Sequence, residues 1–250
     1  METMLCAALL LIFLVAANCP TAAAVVEQGQ VVSKDQLIAP LAPDRDHPLP
    51  RVVIKIDEDD LSSASGAQKV LVVHCRATPT PKFGLNDDVI AVAFHDDEKY
   101  RIAEVLQSDA GVVDGELNSE NDYEEEFISI NNLRFLYVRD RISGTGGIVE
   151  HNIYTISGAA NLVTIPFADL RKPKLLNAGE ELRNGYYKFK GEGFDFEAGI
   201  YEPQDPECCP AKGAYHAQLR LQGGFQQNTA AHSSAPDFKF VVIKEWRTKD

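Results

Sequence analysis

Alternation of apolar and polar residues in two segments near the C-terminus constrains the fold of this chain more than any other feature of its sequence. The two segments span residues 194–200 and 215–221. Successive side chains of a strand point to opposite faces, so each segment places its apolar residues on one face. We predict two half-buried strands joined by a cysteine-bearing loop, with Phe194, Phe196 and Ile200 facing the core from a central strand.

Shorter β-rich runs recur through the rest of the chain and are separated by turn-prone residues. We expect the acidic run Asp57–Asp60 to belong to a connection and Asn131–Asn132 to be a turn between two strands. No apolar pattern with the helical period extends over three turns, so the sequence predicts an all-β fold with few or no long helices. An antiparallel sandwich, a barrel and a propeller-like meander all fit this spacing. The runs lie at 52–56, 70–73, 89–94, 100–106, 127–130, 133–138, 148–156, 162–165 and 238–243.

The N-terminal residues have the pattern of an exported chain. Residues 5–17 form an apolar run of signal-peptide length, and three alanines at 22–24 match the small residues of a cleavage site. We therefore predict a signal peptide over residues 1–24 and a secreted or periplasmic location. Four prolines within residues 25–50 favour extended backbone, so we predict a proline-rich linker there and a single predominantly β domain over residues 51–250.

The charge balance narrows the choice of partners. The chain has 24 basic and 37 acidic residues, which gives a formal net charge of −13. Such a chain repels nucleic-acid phosphates and anionic membrane surfaces. We therefore expect a protein or glycan partner, no nucleic acid, and no membrane association beyond export.

Removal of the signal peptide would leave three cysteines, which are Cys75, Cys208 and Cys209. Disulfides are expected in an oxidising compartment, although an odd number cannot all pair within one chain. Two pairings stay open, a bridge from one of the adjacent cysteines to Cys75 and a strained vicinal disulfide between the two. The neighbouring Asp205 and Glu207 oppose thiolate formation, so a structural role is expected.

An acidic segment matches the ligand spacing of a calcium-binding loop. Its oxygen-bearing side chains fall at loop positions 1, 3, 5, 7, 9 and 12. Position 6 is Ser119 where such loops have glycine, and no helix pattern flanks the segment, so a solvated acidic loop is the alternative. Calcium is the only cofactor that the sequence suggests. The candidate ligands are Asp114, Glu116, Asn118, Glu120, Asp122 and Glu125.

No catalytic or cofactor-binding motif is present, and the histidines have no metal-ligand spacing. These histidines are His47, His74, His95, His151, His216 and His232. A group of aromatic residues either lines a sugar- or peptide-binding face or, as the alternation favours, builds the core. The group comprises Tyr186, Tyr187, Phe189, Phe194, Phe196, Tyr201 and Tyr215.

Two resemblances accompany these patterns. The segment Asp205-Pro-Glu-Cys-Cys-Pro210, followed by an alternating strand that ends in Gly223-Gly224, resembles a tail found in uncharacterised exported bacterial proteins. The strand–acidic run–strand pattern of residues 54–73 and 89–106 resembles FG-GAP-type repeats of integrin-like propellers. Neither resemblance implies an enzymatic activity or supplies catalytic residues.

We therefore expect an exported, non-catalytic binding or structural protein whose ligand is a protein or a glycan. The alternative is an extracytoplasmic hydrolase whose carboxylate pair is not recognisable from sequence. An exposed aromatic strip would favour glycan binding, whereas two buried carboxylates facing one cleft would favour the hydrolase.

Export is expected to remove residues 1–24, because the apolar run and the three alanines that follow it direct cleavage there. The intact mass of the exported protein, measured by mass spectrometry, checks this expectation. Retention of Met1 or lipidation of Cys19 would contradict it.

Overall fold

The computed structural model describes residues 27–38, 51–77, 88–107, 123–142, 148–158, 161–170, 173–206, 210, 212–225 and 236–249. These residues form strands and one helical turn, and every strand pairing is antiparallel, so the all-β prediction is confirmed. In chain order the elements are β1 (Val31–Val32), α1 (Lys34–Leu37), β2 (Arg51–Ser63), β3 (Gly66–Ala77), β4 (Asp88–Asp96), β5 (Lys99–Gln107), β6 (Tyr123–Ile130), β7 (Leu133–Ile142), β8 (Ile148–Ser157), β9 (Asn161–Thr164), β10 (Glu181–Phe189), β11 (Gly193–Tyr201), β12 (Ala214–Gln222) and β13 (Lys239–Thr248).

The strands form three sheets that follow one another along the chain. The N-terminal sheet has the strand order β1-β5-β4-β3-β2, the middle sheet β6-β7-β8-β9 and the C-terminal sheet β10-β11-β12-β13. Most neighbouring strands are consecutive in sequence and are joined as hairpins. The turn at Asn131–Asn132 lies between β6 and β7 as expected, with both residues at positive φ.

The middle sheet is packed on both faces. Phe135 and Tyr137 of β7 point into a core shared with the C-terminal sheet. Leu136 and Val138, which alternate with them, point into a second core shared with the N-terminal sheet. The three sheets are therefore stacked as layers, with the middle sheet between the other two.

Part of the predicted linker is folded onto the N-terminal sheet. Strand β1 pairs with β5, and α1 begins at Ser33, whose hydroxyl accepts from the backbone N–H of Gln36 while the Gln36 side chain accepts from the Ser33 N–H. Val32 and Leu37 are buried in a third core on the outer face of this sheet. The proline content predicted extended backbone over residues 25–50. Residues 31–38 fold instead, because their apolar side chains are buried against the outer face of the N-terminal sheet.

The acidic run Asp57–Asp60 lies within a strand and not in a connection, which corrects the expectation from its composition. Strand β2 pairs with β3 along this run, at the edge of the N-terminal sheet. Basic partners hold three of its carboxylates. Lys55 Nζ lies 2.8 Å from Asp57 Oδ2, and Lys69 Nζ lies 2.8 Å from Glu58 Oε1. Arg134 of β7 forms an ion pair with Asp59. Charged residues are tolerated there because an edge strand is partly solvated, and they discourage pairing with other chains.

The core positions predicted for β11 are confirmed. Phe194, Phe196 and Ile200 are buried, and β11 lies between β10 and β12. The ring of Phe194 meets those of Tyr137 and Phe240 edge to face, each at a centroid distance of 5.2 Å. Such packing adds to the stabilisation from burying the rings.

Truncation of these rings is expected to destabilise the fold strongly. Phe194→Ala and Phe196→Ala should each lower the free energy of unfolding by about 3–5 kcal/mol, because each leaves a cavity between two packed sheets. Urea denaturation measures the change. Ile243→Ala, at a side chain that is 53% exposed on β13, is the control and should change stability by less than about 0.5 kcal/mol. An unchanged midpoint for Phe194→Ala would contradict the buried assignment.

Candidate binding surface

One candidate calcium ligand lies in the described part of the chain, and it belongs to a strand. Glu125 of β6 has a side chain only 2% exposed, with Oε1 3.1 Å from Lys55 Nζ and Oε2 2.7 Å from the buried His74 Nδ1. This cluster joins the N-terminal and middle sheets. The Glu125 carboxylate that the calcium loop would need at its last position is therefore already bound to Lys55 and His74. Among the described residues no group of three or more potential ligands is placed to hold a metal ion. The remaining candidates lie outside the described residues, so the calcium loop stays a prediction; they are Asp114, Glu116, Asn118, Glu120 and Asp122.

Of the three cysteines expected in the exported chain, Cys75 is the one that lies among the described residues. Cys75 is buried in β3, on the face of the N-terminal sheet that points away from the middle sheet. Cys208 and Cys209 lie outside the described residues, in the β11–β12 connection of the C-terminal sheet. The pairing itself stays a prediction.

Most of the aromatic group singled out from the sequence belongs to the core, and one member does not. Six of its residues are buried or pack against buried residues of the C-terminal sheet. They are Tyr187, Phe189, Phe194, Phe196, Tyr201 and Tyr215. Tyr186 is 44% exposed and lies on the outer face of the C-terminal sheet. Trp246, the only tryptophan of the chain, lies on the same face in β13.

Strand register places these two aromatic residues at the ends of one line across the C-terminal sheet. Tyr186 of β10 is paired with Glu197 of β11, Glu197 with His216 of β12, and His216 with Trp246 of β13. We call these four residues the binding row. Neighbouring strands lie about 4.8 Å apart, so the row is about 14 Å long.

Side-chain contacts connect the members of the binding row. The Tyr186 hydroxyl donates to the Glu197 carboxylate, and partial burial together with this bond raises the pKa of Tyr186. His216 Nδ1 lies 3.5 Å from Glu197 Oε2. The His216 ring stacks on Trp246 at 5.1 Å between centroids and 9° between planes, and Lys244 Nζ lies 5.2 Å from the centre of the Trp246 ring. Hydrogen bonding, stacking and cation–π attraction therefore hold the row in one arrangement.

A second line of polar residues runs beside the binding row. Lys188, Asp195, Gln218 and Lys244 are paired in succession across the same four strands. With histidine counted as neutral, the two lysines and the carboxylates of Asp195 and Glu197 give the two lines a formal net charge of zero. The whole chain has a formal net charge of −13. The face therefore lacks the negative excess of the whole chain.

A mostly buried histidine attaches the strand of Tyr186 to the middle sheet. His151 Nε2 of β8 accepts a hydrogen bond of 3.4 Å from the backbone N–H of Tyr187. The neutral ring therefore carries its proton on Nδ1, which lies 2.5 Å from the Tyr137 hydroxyl oxygen and donates to it. Burial, with a smaller contribution from Arg139, lowers the pKa of His151 to about 4. Burial likewise raises the pKa of Tyr187 to about 12.

Two carboxylates of the described residues have clearly displaced pKa values, and basic or amide partners hold both in the ionised form. Hydrogen bonds from Arg247 and from Asn177 lower the pKa of Glu180 to about 2. Hydrogen bonds from Lys69 and His95 lower the pKa of Glu58. A general acid needs the opposite displacement, so neither carboxylate suits the hydrolase alternative.

Comparison of the chain with family models, with curated protein sequences and with solved structures finds no match in any of the three. The resemblances stated from the sequence therefore stay predictions. None of the helices in the described residues is long and apolar enough to cross a membrane.

Sequence reasoning missed Trp246 and the surface that it completes. The pattern around Tyr186 included that residue only as one of seven aromatic residues. No periodic pattern in the sequence includes Trp246. Its position opposite His216 depends on the register of β13 against β12, and that register shifts between Gln218 and Leu219. The occurrence of this single tryptophan in the polar end of the last strand was the one available hint.

Acidification is expected to destabilise the fold through His151. Its pKa is about 4 when folded and about 6.5 when unfolded, so the unfolded chain binds the proton more readily. The difference in pKa contributes about 3 kcal/mol to the free energy of unfolding. This contribution is fully present above pH 6.5 and is lost as the pH falls towards 4.

Urea denaturation of the protein and of His151→Gln at pH 7 and pH 4 measures the contribution. The variant keeps a neutral hydrogen-bonding side chain, so its stability should fall less between the two pH values, by roughly the same 3 kcal/mol. Other groups titrate equally in both proteins and cancel in the comparison. Identical pH profiles would show that His151 does not titrate as described.

Proposed function

We propose that the chain is an exported, non-catalytic binding protein that holds a neutral oligosaccharide on the outer face of its C-terminal sheet. The binding row is the observation that carries this function. It places an exposed tyrosine, a carboxylate, an imidazole and a tryptophan on one line across four strands. Aromatic side chains cover the apolar faces of a ligand, and the polar groups between them exchange hydrogen bonds with hydroxyl groups.

The composition of this face favours a hydroxyl-rich ligand over a protein partner. The central parts of protein–protein interfaces are depleted in charged residues, whereas Lys188, Asp195 and Lys244 adjoin the row. Removing these charges from water beneath a protein would be costly. A glycan supplies hydrogen-bonding groups of its own and leaves water at the margins of the contact.

The dimensions and charge of the face specify the ligand further. A row about 14 Å long accommodates several sugar units in line, so an oligosaccharide fits it better than a single sugar. The balanced charges on the face give no preference for a strongly anionic polymer. Export, predicted from residues 1–24, would bring the face into contact with extracytoplasmic glycans.

Titration calorimetry with cellohexaose, maltohexaose and chitohexaose tests this function. We expect the wild-type chain to bind at least one of these probes at neutral pH. Tyr186→Ala and Trp246→Ala should each weaken that binding by about fivefold or more, since each removes one end of the row.

Ile54→Ala is the matched control, because Ile54 is an exposed apolar residue of the N-terminal sheet, away from the row. Its affinity should equal that of the wild type, and all three variants should retain the wild-type circular dichroism spectrum. Absence of binding to every probe would contradict the glycan-binding function. Binding that neither aromatic substitution weakens would contradict the assignment of the surface.

A further inference from the structure

We propose that His151 positions Tyr186 for ligand binding through the backbone amide of Tyr187, and that protonation of His151 in acid releases the ligand. This inference rests on the glycan-binding function proposed above. It makes His151 a positioning residue, since its ring lies between the middle and C-terminal sheets and does not belong to the binding surface.

Tyr187 lies in the edge strand of the C-terminal sheet, directly after an irregularity in β10. The register of β10 against β11 shifts between Arg183 and Tyr186, where Asn184 adopts a φ of 57°. A bulge of this kind interrupts the ladder and leaves local backbone groups unpaired by the neighbouring strand. Tyr186 and Tyr187 directly follow it, in the outermost strand of the sheet.

The Tyr187 N–H finds its acceptor in the His151 ring. Nε2 accepts this N–H at 3.4 Å, while Nδ1 is held by the Tyr137 hydroxyl at 2.5 Å. The Tyr187 side chain packs against the same imidazole, with ring centroids 5.1 Å apart. The amide one residue away from Tyr186 is thereby tied to β8 of the middle sheet.

Protonation reverses the hydrogen-bonding character of Nε2. The imidazolium donates from both nitrogens, so a second N–H would point at the Tyr187 N–H and the bond would be lost. A backbone donor left without an acceptor in a mostly buried site is unfavourable, so β10 is expected to move away from β8. Tyr186, paired with Glu197 at the end of the binding row, would move with it.

Within the described part of the chain, the groups that face His151 include no carboxylate that stabilises its charged form directly. Tyr137 and Arg139 face it from β7, and Tyr187 faces it from β10. Glu126 of β6 and Asp169 after β9 act on the two tyrosines. Burial, and after it repulsion between Arg139 and the imidazolium, lowers the pKa of His151. Release is therefore expected only under distinctly acidic conditions.

Nuclear magnetic resonance tests the coupling without any ligand. In the wild-type chain, the amide signals of Tyr186 and Tyr187 should shift between pH 7 and pH 3.5 with the same midpoint as the His151 ring signals. Amide signals that stay in place while the His151 ring titrates would overturn the coupling.

Oligosaccharide titration at pH 7 and pH 3 then tests release, because His151 with a pKa of about 4 is mostly protonated at the lower pH. The wild type should lose affinity for the best of the three probes by about fivefold or more on acidification, beyond any loss in His151→Gln. His151→Gln keeps an acceptor for the Tyr187 N–H that does not titrate, and His151→Leu lacks one. We therefore expect wild-type affinity at pH 7 for the first variant and weakened binding at both pH values for the second.

The two proposals fail in different ways. Equal acid losses in wild type and His151→Gln would overturn the role of His151 while leaving glycan binding in place. Absence of binding to all probes by the wild type at pH 7 would overturn glycan binding and the release step with it. The amide titration would still decide whether His151 positions Tyr186.

Discussion

Burial of the middle sheet on both faces is the constraint on which the rest of this structure depends. Four consecutive buried residues of β7, Phe135–Val138, alternate between two cores, so this strand has no solvated side. Such a sheet needs a cover on each face, and the N-terminal and C-terminal sheets provide them. The layers are further joined by polar links. Ser62 of β2 accepts from the Arg134 N–H and, through its carbonyl, from the Thr155 hydroxyl, at 2.9 and 3.0 Å.

Local patterns were sufficient to predict the strands, because alternation and turn residues are properties of short segments. Phe194, Phe196 and the Asn131–Asn132 turn follow from neighbours in the sequence. The stacking of three sheets depends on contacts between distant segments, and no single segment specifies it. The acidic run of β2 was wrongly predicted to be a connection. Its residues have low strand propensity, but tertiary partners such as Arg134 override that preference.

The candidate surface was less predictable than the fold, for a physical reason. The four residues of the binding row come from four different strands, so in the sequence they are single residues far apart from one another. Only the register of each pairing brings Glu197 and His216 side by side, and register is set by the packing of the opposite face. The hidden network behind the row, from Tyr137 to His151, likewise joins two sheets and leaves no short-range pattern.

The bulge in β10 explains how one short segment serves both the core and the surface. Leu182 and Tyr187 both pack towards the core, although they are five residues apart and regular alternation would place them on opposite faces. The register shift after Arg183 adds the extra residue that reconciles them. Without that shift, alternation from Leu182 would turn Tyr186 into the core and Tyr187 outward. The same irregularity therefore exposes the aromatic ring at the end of the binding row and presents the adjacent amide to His151.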